Sequence, residues 1–329
     1  MRNRVLITDP IDPSGTKLLS AQAEVISSPD AAPETIRRLA READAIITRS
    51  RLPDDIFDTA PRVRAVTVHG TGTDLVPLAS AIAHGVLVAN LPGGNAQSVA
   101  EYCVMAMLML ARNQPAISAA MRTDAWDRAR ALGAAAHEIA EMTLGLVGVG
   151  EIGRRVAKIC GQGFGMRVLG TQRRLDRLPP DAAPATLEVL LAESDFVVVT
   201  CPLTPETKHL FNQYRFARMK RTSWLINVGR GPVVEEAALI EALREQRIAG
   251  AMLDVYEHYR LAPGHPLFTL ANVILTPHLA GMTRESRGRM GVHAAEETLR
   301  MLAGEKPENF VNPQAWDAAQ ARRGAAAVR

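Results

Sequence analysis

A glycine-rich turn carries the clearest chemical signal in this 329-residue chain. Residues 148–153 read GVGEIG, after an apolar strand at 143–147 and at the start of a helix at 151–163. The first glycine allows a tight turn, the second lets the backbone approach a pyrophosphate, and the third lets the helix pack on the strand. The helix N-terminus offers free N–H groups to phosphate. The alternative is a plain strand-to-helix turn. We predict a nicotinamide dinucleotide, used for redox chemistry on a small molecule and bound by Gly148, Gly150, Glu151, Ile152 and Gly153.

The next predicted strand, at 167–170, ends without the carboxylate that normally binds the adenosine ribose. The chain continues Thr171-Gln172-Arg173-Arg174, and Gln172 stands about where the acid is expected. Nothing there repels a 2′-phosphate, and two guanidinium groups can bind one through bidentate hydrogen bonds. The sequence therefore predicts NADP(H) in preference to NAD(H), with solvated surface arginines as the alternative.

Alternating strands and helices position these residues. We predict strands at 4–8, 24–26, 45–47, 64–68 and 86–88, with helices at 13–21, 33–40 and 75–84. A long helix at 96–112 leads to further strands at 143–147, 167–170, 196–200, 223–227, 250–253 and 272–275, and a last helix spans 283–303. This alternation is typical of parallel sheets covered by helices, so the fold class is α/β.

The pattern predicts two domains. Residues 1–95 and 292–329 form a discontinuous substrate domain, and residues 96–291 form the dinucleotide-binding domain. The stretch around Trp126 and Gly133 is predicted to be rich in loops. The tail from Gln314, rich in alanine and arginine, is predicted to be frayed or loosely docked.

Composition excludes several classes of protein. With 47% hydrophobic and 22% charged residues the chain is typical of globular proteins, and a net charge of +3 gives no reason to expect nucleic acid. Its cysteines are odd in number and form no C-x-x-C pair, so we expect no disulfide framework. We therefore expect the protein to reside in the reducing cytoplasm. The most apolar segment, 102–111, falls short of the roughly 20 residues of a membrane span, so we expect no membrane partner.

Three further strings come after predicted strands, at the edge where doubly wound sheets bind ligands. They are TCPLTPET at 200–207, LINVGRG at 225–231 and NVILTPHLAG at 272–281. With the glycine turn and GGNAQSVAE at 93–101, they resemble the D-isomer-specific 2-hydroxyacid dehydrogenases, a family that includes phosphoglycerate dehydrogenase and glyoxylate/hydroxypyruvate reductase. The resemblance extends over residues 7–313. It implies a Rossmann dinucleotide-binding domain inserted into a discontinuous flavodoxin-like substrate domain, and a homodimer.

The resemblance also implies roles for matching residues. His278 donates a proton to the carbonyl oxygen of a 2-keto acid, a transfer that its ordinary pKa of about 6.5 suits. Arg230 holds the substrate carboxylate and polarises the carbonyl. Asp254 receives the nicotinamide amide, and no metal is expected. The remaining implied substrate contacts are Gly70, Thr71, Gly72 and Asn95. The remaining implied cofactor contacts are Cys201, Pro202, Thr207, Val228, Gly229 and Gly281.

One position departs from the family pattern. Where the family carries a third catalytic residue, a glutamate, this chain has Tyr259, followed by Arg260 in place of proline. A tyrosine, with an ordinary pKa of about 10, stays neutral, so His278 should be less readily protonated and the reductive pH optimum should lie lower than in the family. The alternative is a loop shift that brings Glu257 to His278.

The sequence leaves the identity of the substrate open. Arg49, Arg51 and Arg260 can hold a phosphorylated substrate such as 3-phosphohydroxypyruvate, or they are solvated charges. The chain leaves no room for the regulatory domain of many phosphoglycerate dehydrogenases, which favours a reductase of smaller 2-keto acids. A cofactor-sensing binding protein with weak catalysis is the alternative from another class. Tyr259 supports that alternative, whereas the presence of Arg230 and His278 argues against it.

Overall fold

A computed structural model describes residues 2–327 of the chain. Two compact units divide it: Met1–Asn95 with Met282–Arg329, and Ala96–Gly281. The sequence-based boundary lay at 291/292, inside the helix Arg284–Ala303. In the structure this helix belongs whole to the first unit, because its apolar face packs on the strands and the first helix of that unit.

The strands of the described chain are β1 Asn3–Ile7, β2 Ala23–Ser27, β3 Ala45–Thr48, β4 Ala65–Val68, β5 Leu87–Ala89, β6 Thr143–Val147, β7 Arg167–Thr171, β8 Ala183–Pro184, β9 Phe196–Val199, β10 Trp224–Asn227, β11 Gly250–Leu253 and β12 Val273–Leu275. The α-helices are α1 Pro13–Gln22, α2 Pro33–Ala40, α3 Ile56–Thr59, α4 Leu78–Ala83, α5 Ala96–Ala111, α6 Gln114–Arg122, α7 Trp126–Ala134, α8 Glu151–Lys158, α9 Leu187–Glu193, α10 Gln213–Phe216, α11 Glu236–Arg244, α12 Arg284–Ala303 and α13 Trp316–Ala327.

The first unit contains a five-stranded parallel sheet in the order β2-β1-β3-β4-β5. This is the flavodoxin-like order. Successive residues of β1 face opposite sides, so Val5 and Ile7 join the core with α1 and α12, whereas Leu6 joins the core with α2, α3 and α4. Because both faces are covered, the inner strands β3 and β4 are apolar except for one threonine each.

The second unit contains a seven-stranded parallel sheet in the order β12-β11-β10-β9-β6-β7-β8. The order reverses between β6 and β9, which are neighbours in space but not in sequence. This arrangement is the Rossmann type, whose ligands bind at the carboxyl edge beside the reversal. The sequence-based fold class is therefore confirmed.

Two local predictions are wrong. The stretch around Trp126 and Gly133 forms α6 and α7, which pack on each other. The C-terminal tail forms α13, and Arg322 docks it on the first unit by donating hydrogen bonds to the carbonyls of Pro61 and His84. Alanine favours helix strongly enough to propagate one once such an anchor is present. Across residues 2–327, no helix is both long enough and apolar enough to span a bilayer.

Candidate active site

The glycine turn has the shape of a phosphate cradle. Gly148 follows β6 with a φ of +88°, and a Cβ there would lie 2.6 Å from the Cα of Cys201. A Cβ on Gly153 would lie 2.7 Å from the carbonyl oxygen of Gly148, so α8 packs directly on the turn. Gly150, in contrast, has open space where a Cβ would be. The turn therefore fits a pyrophosphate beside Gly150.

The segment after β7 holds the predicted adenosine contacts. Gln172 Nε2 donates to the carbonyl of Arg174 at 2.7 Å, and the exposed Arg174 guanidinium makes a bidentate ion pair with Asp176. Arg173 is exposed as well, and its charge, together with the larger contribution of a hydrogen bond from Thr204, lowers the pKa of Glu206. Because Asp176 occupies the guanidinium of Arg174, Arg173 is the more available of the two arginines.

The loop after β9 contributes Cys201, Pro202 and Thr207. Burial raises the pKa of Cys201 to about 11, so the thiol stays neutral and lines the site without reacting. Thr207 folds the loop on itself: its hydroxyl donates to the carbonyl of Pro202 and accepts from the N–H of Thr204, both at 2.7 Å.

The turn after β10 carries Val228, Gly229 and Arg230. Asn227 fixes it, because the side-chain oxygen accepts from Gly229 N at 3.1 Å while the amide nitrogen donates to the carbonyl of Arg230 at 3.3 Å. The half-buried guanidinium of Arg230 donates to the carbonyl of Gly229 at 3.0 Å. The turn thus holds a cation at the carboxyl edge of the sheet.

Asp254, at the end of β11, organises the turn after β12. It is 1% exposed, and its carboxylate accepts from the N–H groups of Leu279 and Ala280 at 2.8 and 2.9 Å and from the hydroxyl of Thr276 at 2.7 Å. Its carbonyl accepts from His278 N at 2.9 Å. Sequence reasoning assigned Asp254 to the cofactor alone and missed that it builds the turn that leads to Gly281.

His278 adopts a left-handed backbone conformation, with a φ of +55°. A non-glycine residue in this region costs on the order of 1 kcal/mol, which the bonds to Asp254 offset. The backbone of His278 is therefore held at the carboxyl edge of β12, and its imidazole is exposed there.

The ring of Tyr259 lies edge-on to that of His278, with centroids 6.1 Å apart, and Tyr259 is 77% exposed. Glu257 lies elsewhere: its Oε1 accepts a hydrogen bond from His209 Nε2 at 2.8 Å. The aromatic residue is therefore the neighbour of His278, and the alternative of a shifted Glu257 is wrong.

In the first unit, residues 70–72 form a turn after β4. Gly70 N donates to the carbonyl of Val68, and the side chain of Asn90 donates to the carbonyl of Thr71 at 2.6 Å. The N–H groups of Thr71 and Gly72 meet no acceptor within residues 2–327, which leaves them available to a carboxylate. Asn95, the last residue of the N-terminal segment of this unit, is half-buried.

His69, which precedes this turn, was not among the predicted site residues. It is 5% exposed, and neither ring nitrogen has a hydrogen-bond partner in the described part of the chain. Burial and the nearby charge of Arg49 lower its pKa to about 4. A histidine at the carboxyl end of a buried strand is the only signal that the sequence offers for it.

Comparison with known proteins decides the family. Residues 104–280 match the family described as "D-isomer specific 2-hydroxyacid dehydrogenase, NAD binding domain". The chain belongs to this family. It is 39% identical to a glyoxylate reductase of Aeropyrum pernix, over 94% of this chain and 96% of the relative.

Other relatives of this dehydrogenase carry related names. A D-3-phosphoglycerate dehydrogenase of Methanocaldococcus jannaschii is 33% identical, over 94% of this chain and 59% of the relative. The structure of an NADPH-dependent glyoxylate/hydroxypyruvate reductase of Sinorhizobium meliloti, in complex with NADP and malonate, matches with a TM-score of 0.84 and 27% identity, over 96% and 98% of the two chains. The chain is thus an NAD(P)-dependent oxidoreductase that acts on the CH–OH group of 2-hydroxy acids, as the sequence predicts.

Proposed function

We propose that this dehydrogenase reduces small 2-keto acids of the glyoxylate and hydroxypyruvate class, with NADPH preferred over NADH. The observation that carries the proposal is the edge formed by neighbouring strands β10, β11 and β12. The carboxyl ends of these adjacent strands carry the guanidinium of Arg230, the buried carboxylate of Asp254 and the imidazole of His278. A cation, an orienting carboxylate and an acid/base are what keto-acid reduction requires.

Each residue has a distinct task in the proposed reaction. The nicotinamide, when bound, supplies the hydride. Arg230 binds the substrate carboxylate and polarises the keto oxygen. His278 donates the proton to the developing alkoxide. Asp254 holds the turn that carries His278, and the ring of Tyr259 lies beside the imidazole without adding a charge.

The cofactor preference rests on the segment after β7. Gln172 brings no negative charge, and Arg173, the next residue, is exposed. Arg174 contributes less, because Asp176 already occupies its guanidinium. One arginine still suffices for a charge-assisted contact with a 2′-phosphate.

A small substrate is favoured over a phosphorylated one. Arg51 is exposed and paired with Asp54 at 3.3 Å, so its charge is partly neutralised. Arg49 is half-buried, and its guanidinium has no acceptor among the described residues. The ion pair of Arg51 thus leaves fewer cations for a phosphate than the three that the sequence offers, and a phosphate normally recruits several. The name of the Aeropyrum relative points the same way.

We also propose a cytoplasmic homodimer. Apolar side chains on α5, α6 and α7 are exposed, among them Trp126 at 59%, with Met105 and Met121. Exposed apolar patches of this kind mark protein interfaces, and a second copy of the chain is the occupant that the family resemblance implies. Cys103, Cys160 and Cys201 are free and buried, which fits a reducing compartment. Light scattering on the wild type and on Trp126→Lys tests the dimer; equal masses would contradict it.

The activity is tested with a panel of glyoxylate, hydroxypyruvate, 3-phosphohydroxypyruvate and pyruvate, each run with NADPH and NADH. We expect turnover of the first two, with a lower Michaelis constant for NADPH. His278→Asn and Arg230→Gln should each lower kcat/KM at least about a hundredfold. Tight NADPH binding without any turnover would favour the cofactor sensor, and equal constants for both cofactors would refute the NADPH preference.

A further inference from the structure

Hydrogen bonds and ion pairs of carboxylates and histidines join three loops of the second unit. We call residues 200–212 the cofactor loop, residues 228–236 the arginine turn and residues 254–265 the tyrosine loop. Each contains proposed site residues: Thr207, Arg230 and Tyr259 respectively. None of the carboxylates and histidines that join them has a role in the proposed chemistry.

Glu257, in the tyrosine loop, touches both other loops. Its Oε1 accepts from His209 Nε2 of the cofactor loop at 2.8 Å. Its Oε2 accepts from the backbone N–H of Glu236, at the end of the arginine turn, at 3.2 Å. The contact is reciprocal, because the N–H of Glu257 donates to Oε2 of Glu236 at 3.3 Å. One carboxylate thus ties three segments that are distant in sequence.

Glu236 anchors the far end of the tyrosine loop. Its side chain is 12% exposed, and its Oε1 lies 3.1 Å from Nε2 of His265. The tyrosine loop is therefore held near both ends, with Tyr259 between the two anchors. The cofactor loop and the arginine turn are also joined directly, because the backbone N–H of His209 donates to the carbonyl of Pro232 at 2.8 Å.

Backbone packing transmits these contacts to Arg230. Gly231 lies directly against the carbonyl of Tyr256, and a Cβ on it would overlap that oxygen. A displacement of the tyrosine loop at Glu257 would therefore shift the residue next to Arg230. The half-buried carboxylate is ionised at neutral pH: burial raises its pKa, but the bonds from His209 and Glu236 outweigh this and hold the pKa below its usual value.

We propose that Glu257 is a positioning residue that couples the cofactor loop to the arginine turn, so that cofactor affinity and keto-acid affinity depend on the same carboxylate. The inference rests on the proposed role of Arg230 in binding the substrate. His209 transmits the effect of Glu257 to the cofactor, and Glu236 transmits it to the substrate.

The experiment measures the effect on cofactor affinity and the effect on keto-acid affinity separately. NADPH dissociation constants come from fluorescence titration, and KM and kcat come from turnover of the best keto acid of the panel. Glu257→Ala should raise both the NADPH constant and the keto-acid KM about five- to tenfold, since it removes two charge-assisted acceptors. His209→Ala should raise the NADPH constant alone. His209→Gln should restore it, because the amide keeps an N–H donor.

Controls keep the test decisive. Glu193→Gln breaks an exposed ion pair with Arg167 in the same unit and should change neither constant. If Glu257→Ala does not fold, Glu257→Gln should raise the same two constants by a smaller factor. A lowered Tm with both constants equal to those of Glu193→Gln would overturn the proposal. A failure of the role of Arg230 would be visible separately, as an unchanged keto-acid KM in Arg230→Gln.

Discussion

The buried imidazole of His69 should make the stability of the first unit depend on pH. Its pKa lies at about 4, against 6.5 for the exposed side chain, because burial and Arg49 disfavour the charged form. Between these values the unfolded chain binds the proton and the folded chain does not. The unfolded state is therefore favoured as pH falls through 6.5, and the loss of stability is complete once pH reaches the folded-state pKa.

The magnitude follows from the two pKa values. At pH 5 the unfolded state gains about 2 kcal/mol from protonation of this one histidine, relative to pH 7. The full shift corresponds to about 3 kcal/mol, a large part of the stability of an ordinary domain. His69→Leu removes the titration and should abolish this part of the pH dependence. It also removes two unsatisfied polar nitrogens, which offsets part of any loss in packing.

The assay needs a reporter confined to the first unit. Trp316 of α13 lies in that unit, edge-on to Phe310, whereas Trp126 and Trp224 lie in the second. We would change the latter two to phenylalanine and follow urea unfolding by Trp316 fluorescence at pH 7 and pH 5. The difference between the two pH values should be about 2 kcal/mol smaller in His69→Leu than in its parent. Equal differences in both proteins would refute the reasoning.

Three further predictions concern other features of the chain. Gly150→Ala should fold normally but weaken NADPH binding at least about tenfold, because its Cβ fills the phosphate cradle. Gly148→Ala should also lower Tm, because its Cβ would collide with Cys201 in the loop after β9. Equal losses of Tm in the two variants would contradict this. Tyr259→Glu should raise the pH optimum of reductive kcat/KM by about one unit by favouring protonated His278, while Tyr259→Gln should not, and identical profiles would exclude the coupling. Arg322→Ala should destabilise the first unit by about 1–3 kcal/mol in urea unfolding, because α13 loses the charge-assisted hydrogen bonds to the carbonyls of Pro61 and His84. An unchanged midpoint would show that α13 docks without them.

The sequence predicted the framework of the site well, for a physical reason. Strands buried on both faces are apolar runs, and the turns at their carboxyl ends carry the residues that bind ligands. For this reason the sequence alone could place the glycine turn, Arg230 and His278 at the carboxyl ends of strands. Both sheets and the family could be inferred from the same pattern.

The features that sequence reasoning missed depend on contacts between distant residues. The bond between Glu257 and His209 joins side chains of two different loops, and no local pattern indicates it. The left-handed conformation of His278 is stabilised by a carboxylate on another strand. The helix α13 was missed because its anchor, Arg322, binds the carbonyls of Pro61 and His84, which are more than 200 residues away in sequence.

The order of the chain has a consequence for synthesis on the ribosome. One face of the β1–β5 sheet is covered by α12, which supplies Met290, Ala294 and Met301 to that core, and α12 is translated only after the whole second unit. At about 5–20 residues per second, the nascent sheet waits on the order of ten to forty seconds for its cover. During that interval the Rossmann unit can complete its own core, while the face that awaits α12 stays open to chaperones. A translational pause before α12 should therefore lower the yield of soluble protein more than the same pause after it.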